Sequence, residues 1–202
     1  MRWTVLIPAK SLPEAKSRLL GATADPDAHA RLVRAIRADT IAAARAAAGV
    51  ARVMIVSDRP VPAGQVQSKP GLNAALGEGA AHASSRWPGD GIAALVADLP
   101  ALRAEELADA LAQAAGHPRA FVADAQGTGT TLLTAVAGEL LAPQFGAGSA
   151  ERHAASAAHL SAGIGLRSDV DTAADLAAVL AAGIGAATRA VLAEPSGVAR
   201  SS

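Results

Sequence analysis

The sequence predicts a single α/β domain in three layers, built on a mainly parallel sheet. Three observations predict it. Short apolar runs of strand length alternate with amphipathic or small-residue stretches of helix length along most of the chain. The runs are rich in Val, Ile and Leu without polar alternation, as strands covered on both faces are. No break in composition marks an interdomain linker in the 202 residues, a length that suits one sizeable core. The expected domain spans residues 1–192, followed by a flexible tail over 193–202.

The elements follow in order. Val5, Leu6 and Ile7 make a first buried strand that should stop at Pro8, which cannot donate to a sheet ladder. A basic loop follows. Asp25 and Pro26 open a long helix over 26–48, with Leu32, Val33, Ile36 and Ile41 on one face, closed by Gly49. A second strand is expected over 52–57 and a short one over 65–68. Pro70, Gly71, Leu72 and Asn73 then lead into a helix ending near Arg86. Residues 92–97 read as a strand, 104–115 as a helix closed by Gly116, and 120–123 and 131–136 as two more strands. A Gly-rich loop over 143–149 precedes a polar helix expected over 150–160. Thr172 and Asp175 form a capping-box start to a helix ending near Ala182. The Ala-Gly-Ile-Gly tetrapeptide occurs twice, which in so Ala/Gly-rich a chain is coincidence and no repeat.

Composition excludes several functions. The formal net charge is zero and aromatics are 2% of residues, against the basic face and stacking rings of a nucleic-acid binder. There is no cysteine, hence no disulfide, zinc-thiolate or thiol nucleophile, in keeping with a reducing compartment. Pro8 and Lys10 interrupt any leader-like run, and no uncharged apolar run reaches membrane-spanning length. The expectation is a soluble cytoplasmic protein without membrane or nucleic-acid partners, with an apolar bias that suggests a homodimer. A dinucleotide fingerprint, a Walker loop and a nucleophile elbow are all missing. The five histidines lack metal-ligand spacing and are expected at surface or capping positions.

Four loops at strand ends, and a further Gly-rich segment over 145–149, carry chemistry. The chain has three lysines, Lys10, Lys16 and Lys69, and two of them share the first loop with Arg18. Lysine is a compact charge suited to phosphate and arginine adds a bidentate fork, so this loop reads as a polyphosphate site. Asp98 follows an apolar strand and is held by Leu99 and Pro100; it suits Mg²⁺ or a helix cap equally. Gly127 to Thr131 can wrap an anion or simply turn the chain. Residues 145–149 offer N–H groups and a hydroxyl, with Arg152 and His153 placed to complete an anion pocket or to cover the surface. Asp169 and Asp171 point to opposite faces of an extended segment, so one can face a metal while the other caps a helix. A magnesium site opposed by a lysine-bearing loop fits phosphoryl or nucleotidyl transfer.

These residues, in this order, resemble the 2-phospho-L-lactate or phosphoenolpyruvate guanylyltransferases of coenzyme F420 biosynthesis. The likeness runs from Ile7-Pro8-Ala9-Lys10 through Lys16 to Leu19, Asp98-Leu99-Pro100, Gly127 to Thr130, Phe145 to Ser149, Arg152-His153 and Asp169 to Thr172. It implies a Rossmann-like sheet of GT-A type, similar to sugar-nucleotide and molybdenum-cofactor nucleotidyltransferases. Those relatives begin with a glycine-rich loop, and the lysine-bearing loop here favours the F420 branch. By the same resemblance Asp98 and Asp169 hold Mg²⁺, with Asp171 assisting or capping. Thr130, Gly146 and Ser149 match acceptor-binding positions, with Thr131 a rival to Thr130. Pro8, Ala9, Lys10, Leu72 and Asn73 fall near the nucleotide, and Lys10, Lys16 and Arg18 neutralise the GTP triphosphate. The implied reaction is attack of an acceptor phosphate oxygen on the α-phosphorus of GTP, releasing pyrophosphate. The acceptor is phosphoenolpyruvate or 2-phospho-L-lactate. The competing readings are a related nucleotidyltransferase for another phospho-acid or sugar phosphate, and a non-catalytic nucleotide-binding protein.

Overall fold

The structure, a computed structural model, describes residues 1–9, 26–57, 64–66 and 71–193. Its strands are β1 (Trp3–Ala9), β2 (Val50–Ser57), β3 (Gly64–Val66), β4 (Gly91–Leu95), β5 (Arg119–Ala123), β6 (Thr130–Ala135) and β7 (Ala158–His159). Its helices are α1 (Pro26–Ala46), α2 (Leu72–Arg86), α3 (Ala104–Ala114), α4 (Ser149–Ala154), α5 (Ile164–Arg167), α6 (Ala173–Ala182) and α7 (Ala186–Ala193). The strands form one seven-stranded sheet in the order β3-β2-β1-β4-β6-β5-β7.

Pairing divides the sheet. β3, β2, β1 and β4 run parallel, as apolar strands separated by helices should. β6 runs antiparallel to both β4 and β5, because β5 and β6 are joined by six residues with no crossover helix. β7 then pairs parallel with β5.

Alternation along the strands fills two cores. Val5 and Ile7 of β1, Leu95, Val122 and Leu132 pack with α1 and α3 on one face. Leu6, Val56, Ala94, Phe121 and Leu133 pack with α2 and α4 on the other. A third cluster joins Leu32 and Ile36 of α1 to Val170, Leu176, Val179 and Ile184. The expected three-layer α/β architecture is the one present.

Several boundaries differ, each for a reason. β1 continues through Pro8, whose register partner is Val56. β4 pairs only with Trp3 to Leu6, so at Pro8 one flank of the strand needs no donor. The helix expected over 150–160 stops at Ala154, because Ala158 and His159 join the sheet beside Ala120 and Phe121. α7, unforeseen, is started from a distance. The buried Asp39 carboxylate of α1 accepts the Ala187 and Thr188 N–H groups at 2.9 and 2.8 Å, a capping role that short-range sequence does not reveal. Among the described residues no single helix is long and apolar enough to cross a membrane.

Candidate functional site

Parallel strands all present their carboxyl ends at one edge, which is where open α/β sheets bind ligands. β1 ends there at Ala9, β2 at Ser57 and β4 at Leu95. Because β6 is reversed, its first residue, Thr130, lies at the same edge. The ladder runs past Leu95: the Val96 N–H donates to the Thr131 carbonyl at 3.0 Å, two residues before Asp98. At the opposite edge the buried Asp90 accepts from Thr4 at 3.1 Å and pairs with Arg2 and Arg52. That cluster is a closed ion-pair network.

Asp98 is half-buried in the turn after β4. It does not cap α3, which begins six residues later after Arg103. Its neighbours are pinned from α1: the buried Thr40 hydroxyl accepts the Leu99 N–H at 3.0 Å and lies 3.3 Å from the Ala97 carbonyl. The Val170 N–H donates to the Asp98 carbonyl at 3.0 Å. The two acidic segments, seventy-one residues apart in sequence, are thus joined. Asp169 is half-buried and Asp171 exposed. Neither caps α6: Thr172 does, accepting the Asp175 N–H at 3.2 Å while Asp175 Oδ2 accepts from Thr172 N–H at 2.8 Å. The capping-box expectation holds, and the suggested capping role of Asp171 does not.

Thr130 is 7% exposed and turned toward α4. Its Oγ1 lies 3.1 Å from Ser149 Oγ and 2.9 Å from His153 Nδ1. Thr131 points to the other face, its hydroxyl 3.5 Å from the Val122 carbonyl. Gly146 and Gly148 have φ of +121° and +69°, a region that L side chains rarely enter. Their loop is tied down on three sides. The Arg152 guanidinium donates to the Ala147 carbonyl at 2.7 Å and the Gln144 carbonyl at 3.0 Å. Asn73, second residue of α2, clamps Phe145: its Nδ2 donates to the carbonyl at 3.1 Å and its Oδ1 accepts the N–H at 2.7 Å. The Ala150 N–H reaches the Thr128 carbonyl at 3.1 Å. The N–H groups of Gly146, Ala147 and Gly148 meet no acceptor among the described residues.

Several partners here lie beyond the reach of sequence reasoning. The Gly127–Thr131 turn does wrap an anion, but it is the chain's own: Asp124 accepts the Thr128 and Gly129 N–H groups at 2.9 and 2.7 Å. Gly129 has no room for a Cβ beside that carboxylate. His153 is no surface residue, being 2% exposed, and His29 is 7% exposed. Burial first, then the charges of Arg152 and Arg119, lower the His153 pKa to about 4. Thr40 was not singled out at all. An i−4 bond to Ile36 makes it look like an ordinary helix threonine, and its reach to the Asp98 turn is tertiary.

Pro8 and Ala9 end β1 at this edge, and Leu72 and Asn73 open α2 beside it. Lys10, Lys16 and Arg18 lie outside the described residues. Among those described, no cluster of three or more His, Asp or Glu side chains could hold a metal ion.

A mixed sheet with acidic turns and small-residue loops gathered at the carboxyl ends of its parallel strands has the place where open α/β folds bind their ligands. It superposes on a protein described as a nucleotide-diphospho-sugar transferase from Desulfovibrio desulfuricans G20 with a TM-score of 0.68, 18% identity and coverage of 95% and 94% of the two chains. For 4-diphosphocytidyl-2C-methyl-D-erythritol synthase the TM-score is 0.58, with 14% identity and coverage of 90% and 97%. Those likenesses are of fold. The chain belongs to the CofC-like guanylyl transferase family, which it matches over residues 3–195. It is 50% identical to the phosphoenolpyruvate guanylyltransferase of Geodermatophilus obscurus, over 96% of this chain and 97% of that one. Identity to the enzyme of the same name from Streptomyces coelicolor is 48%, again over 96% and 97%.

Proposed function

We propose that this guanylyl transferase moves GMP from GTP to phosphoenolpyruvate, releasing pyrophosphate, as a step of coenzyme F420 biosynthesis in the cytoplasm. The observation that carries the reading is the meeting at one sheet edge of the Asp98 turn, the Asp169 segment and the Thr130–Ser149 pair. The names of relatives about half identical along its length support the choice of acceptor.

The residues divide the work. Lys10, Lys16 and Arg18, on the loop that leaves β1, neutralise the triphosphate. Asp98 and Asp169 would hold Mg²⁺. Two carboxylates on bonded segments, with no third ligand group among the described residues, suit an ion that completes its shell with water and phosphate oxygens. When bound, Mg²⁺ would offset charge on the triphosphate oxygens. The open N–H groups at Gly146 to Gly148, with the Thr130 and Ser149 hydroxyls, receive the anionic acceptor. Asn73 joins this loop to the start of α2, so the loop for the acceptor is fixed to the helix near the nucleotide base. An acceptor phosphate oxygen attacks the α-phosphorus, forming the new P–O bond as the bond to pyrophosphate breaks. A phosphate dianion is already ionised near neutral pH and needs no general base.

The test is incubation with GTP, Mg²⁺ and, separately, phosphoenolpyruvate, 2-phospho-L-lactate or 3-phosphoglycerate. Mass spectrometry of the products should show the guanosine diphosphodiester of phosphoenolpyruvate as the main product. A clear preference for another acceptor, or no transfer with a downstream trapping enzyme present, rejects the assignment.

A further inference from the structure

Thr130, Ser149 and His153 are three polar side chains 7%, 1% and 2% exposed. Two hydrogen bonds join them, Ser149 Oγ to Thr130 Oγ1 and Thr130 Oγ1 to His153 Nδ1. The far ring nitrogen sets the direction. The Gln144 backbone N–H can only donate and lies 3.0 Å from Nε2, so Nε2 presents its lone pair and the ring hydrogen sits on Nδ1. A pKa of about 4, with Arg152 and Arg119 the charges that lower it, agrees with a neutral ring. Phe121 and Phe145 hold the imidazole in place, with ring centroids 6.1 and 5.3 Å away.

Counting hydrogens gives the consequence. One on Nδ1 and one on each hydroxyl supply two internal bonds. One hydroxyl hydrogen is left over, whichever way the Ser149–Thr130 bond runs, and no described residue accepts it. In the other tautomer Nδ1 would be an acceptor. Both hydroxyl hydrogens would then be spent internally, and the pair would face a ligand with lone pairs alone. Phosphate and carboxylate oxygens need a donor.

We propose that His153 is a positioning residue for acceptor recognition: held as the Nδ1–H tautomer by the Gln144 N–H, it makes the Thr130–Ser149 pair a hydrogen-bond donor toward the phospho-acid. This rests on the reading of Thr130 and Ser149 as acceptor-binding residues. His153 itself touches no substrate.

Steady-state kinetics of His153→Leu, His153→Asn and Thr130→Val test it, with GTP and phosphoenolpyruvate varied in turn. Loss of a donor to an anion should raise the phosphoenolpyruvate KM roughly ten- to hundredfold in His153→Leu and leave the GTP KM unchanged. The asparagine amide puts an N–H near the Nδ1 position, so His153→Asn should recover most of the loss. An equal rise in both KM values, or no recovery with asparagine, overturns the proposal. If Thr130→Val leaves the phosphoenolpyruvate KM unchanged, the acceptor site itself is misplaced and the proposal falls with it. If Thr130→Val raises that KM and His153→Leu does not, only the role of His153 is lost. Nitrogen-15 NMR of the wild-type ring needs no variant. A proton on Nδ1 is the expected result, and a proton on Nε2 contradicts it.

Discussion

The two halves of the sheet meet one ligand edge with different materials. On the parallel half, β3-β2-β1-β4, the edge carries charge: Asp98 follows β4, and Lys10, Lys16 and Arg18 follow β1 in sequence. Asp98 is located through backbone bonds, from Val170 N–H and from Leu99 N–H to Thr40. On the mixed half, β6-β5-β7, the groups left open are uncharged: buried hydroxyls, an imidazole held neutral and a loop with glycines at positive φ, while the Arg152 guanidinium is spent on the loop's carbonyls and the Asp124 carboxylate on its own turn. On the proposed function the difference divides two tasks. A formal charge would handle the nucleotide, whose polyphosphate must be neutralised, and neutral donors in fixed positions would read a small acid by shape.

Breaking the charged half should have the largest effect. Asp98→Asn is expected to lower kcat by a few orders of magnitude, since removing a metal-binding carboxylate forfeits several kcal/mol of transition-state stabilisation. Pyrophosphate release measures it, with circular dichroism to show an intact fold. Near-normal turnover in that variant would remove the metal from this half. On the neutral half, Thr130→Val should leave kcat within reach of wild type at saturation and raise the phosphoenolpyruvate KM by about ten- to hundredfold. Equal rises in the KM for GTP would mean that the two halves are not separable.

Smaller effects sharpen the contrast. Thr40→Val removes the bond that fixes the Leu99 N–H, and should destabilise the fold by about 1–3 kcal/mol. It should also lower kcat without altering the phosphoenolpyruvate KM, because only the charged half is loosened. Urea denaturation and kinetics together check this. The neutral half has a pH signature of its own. Between pH 6.5 and about 4 the unfolded chain takes up a proton on the His153 ring that the folded chain resists. Stability is therefore lost as pH falls through that window, by about 3 kcal/mol at most from this ring. His153→Asn should lack that part of the slope in denaturation at a series of pH values.

The same division explains what was legible beforehand. On the parallel half, strand and helix each declare themselves locally. Val5 to Ile7 is an unbroken apolar run, Leu32, Val33 and Ile36 mark a helix face, and Gly49, at φ +85°, turns the chain from α1 into β2. Asp98 stood out because an acid directly after such a run is conspicuous. On the mixed half the determinants are long-range. β7 is two residues and α5 four, too short for any periodicity, and Ala158 becomes strand only because Ala120 is beside it. His153 read as a surface residue since nothing near it in sequence shows that Phe121 and Phe145 will enclose it. For the Gly127–Thr131 segment an anion cradle and a plain turn both stayed open, because nothing local shows that the Asp124 carboxylate will fill it. Thr130 and Ser149 were grouped only by resemblance, and it is geometry that sets Thr130, and not Thr131, beside Ser149.

The most direct test of this division is a crystal structure with Mn²⁺ in place of Mg²⁺, a non-hydrolysable GTP analogue and phosphoenolpyruvate. Anomalous scattering should place the ion between Asp98 and Asp169, with the acceptor within hydrogen-bond distance of the Thr130 hydroxyl and the Gly146 loop. An ion bound away from Asp98, or an acceptor lying on the far side of the sheet from Thr130, would contradict it.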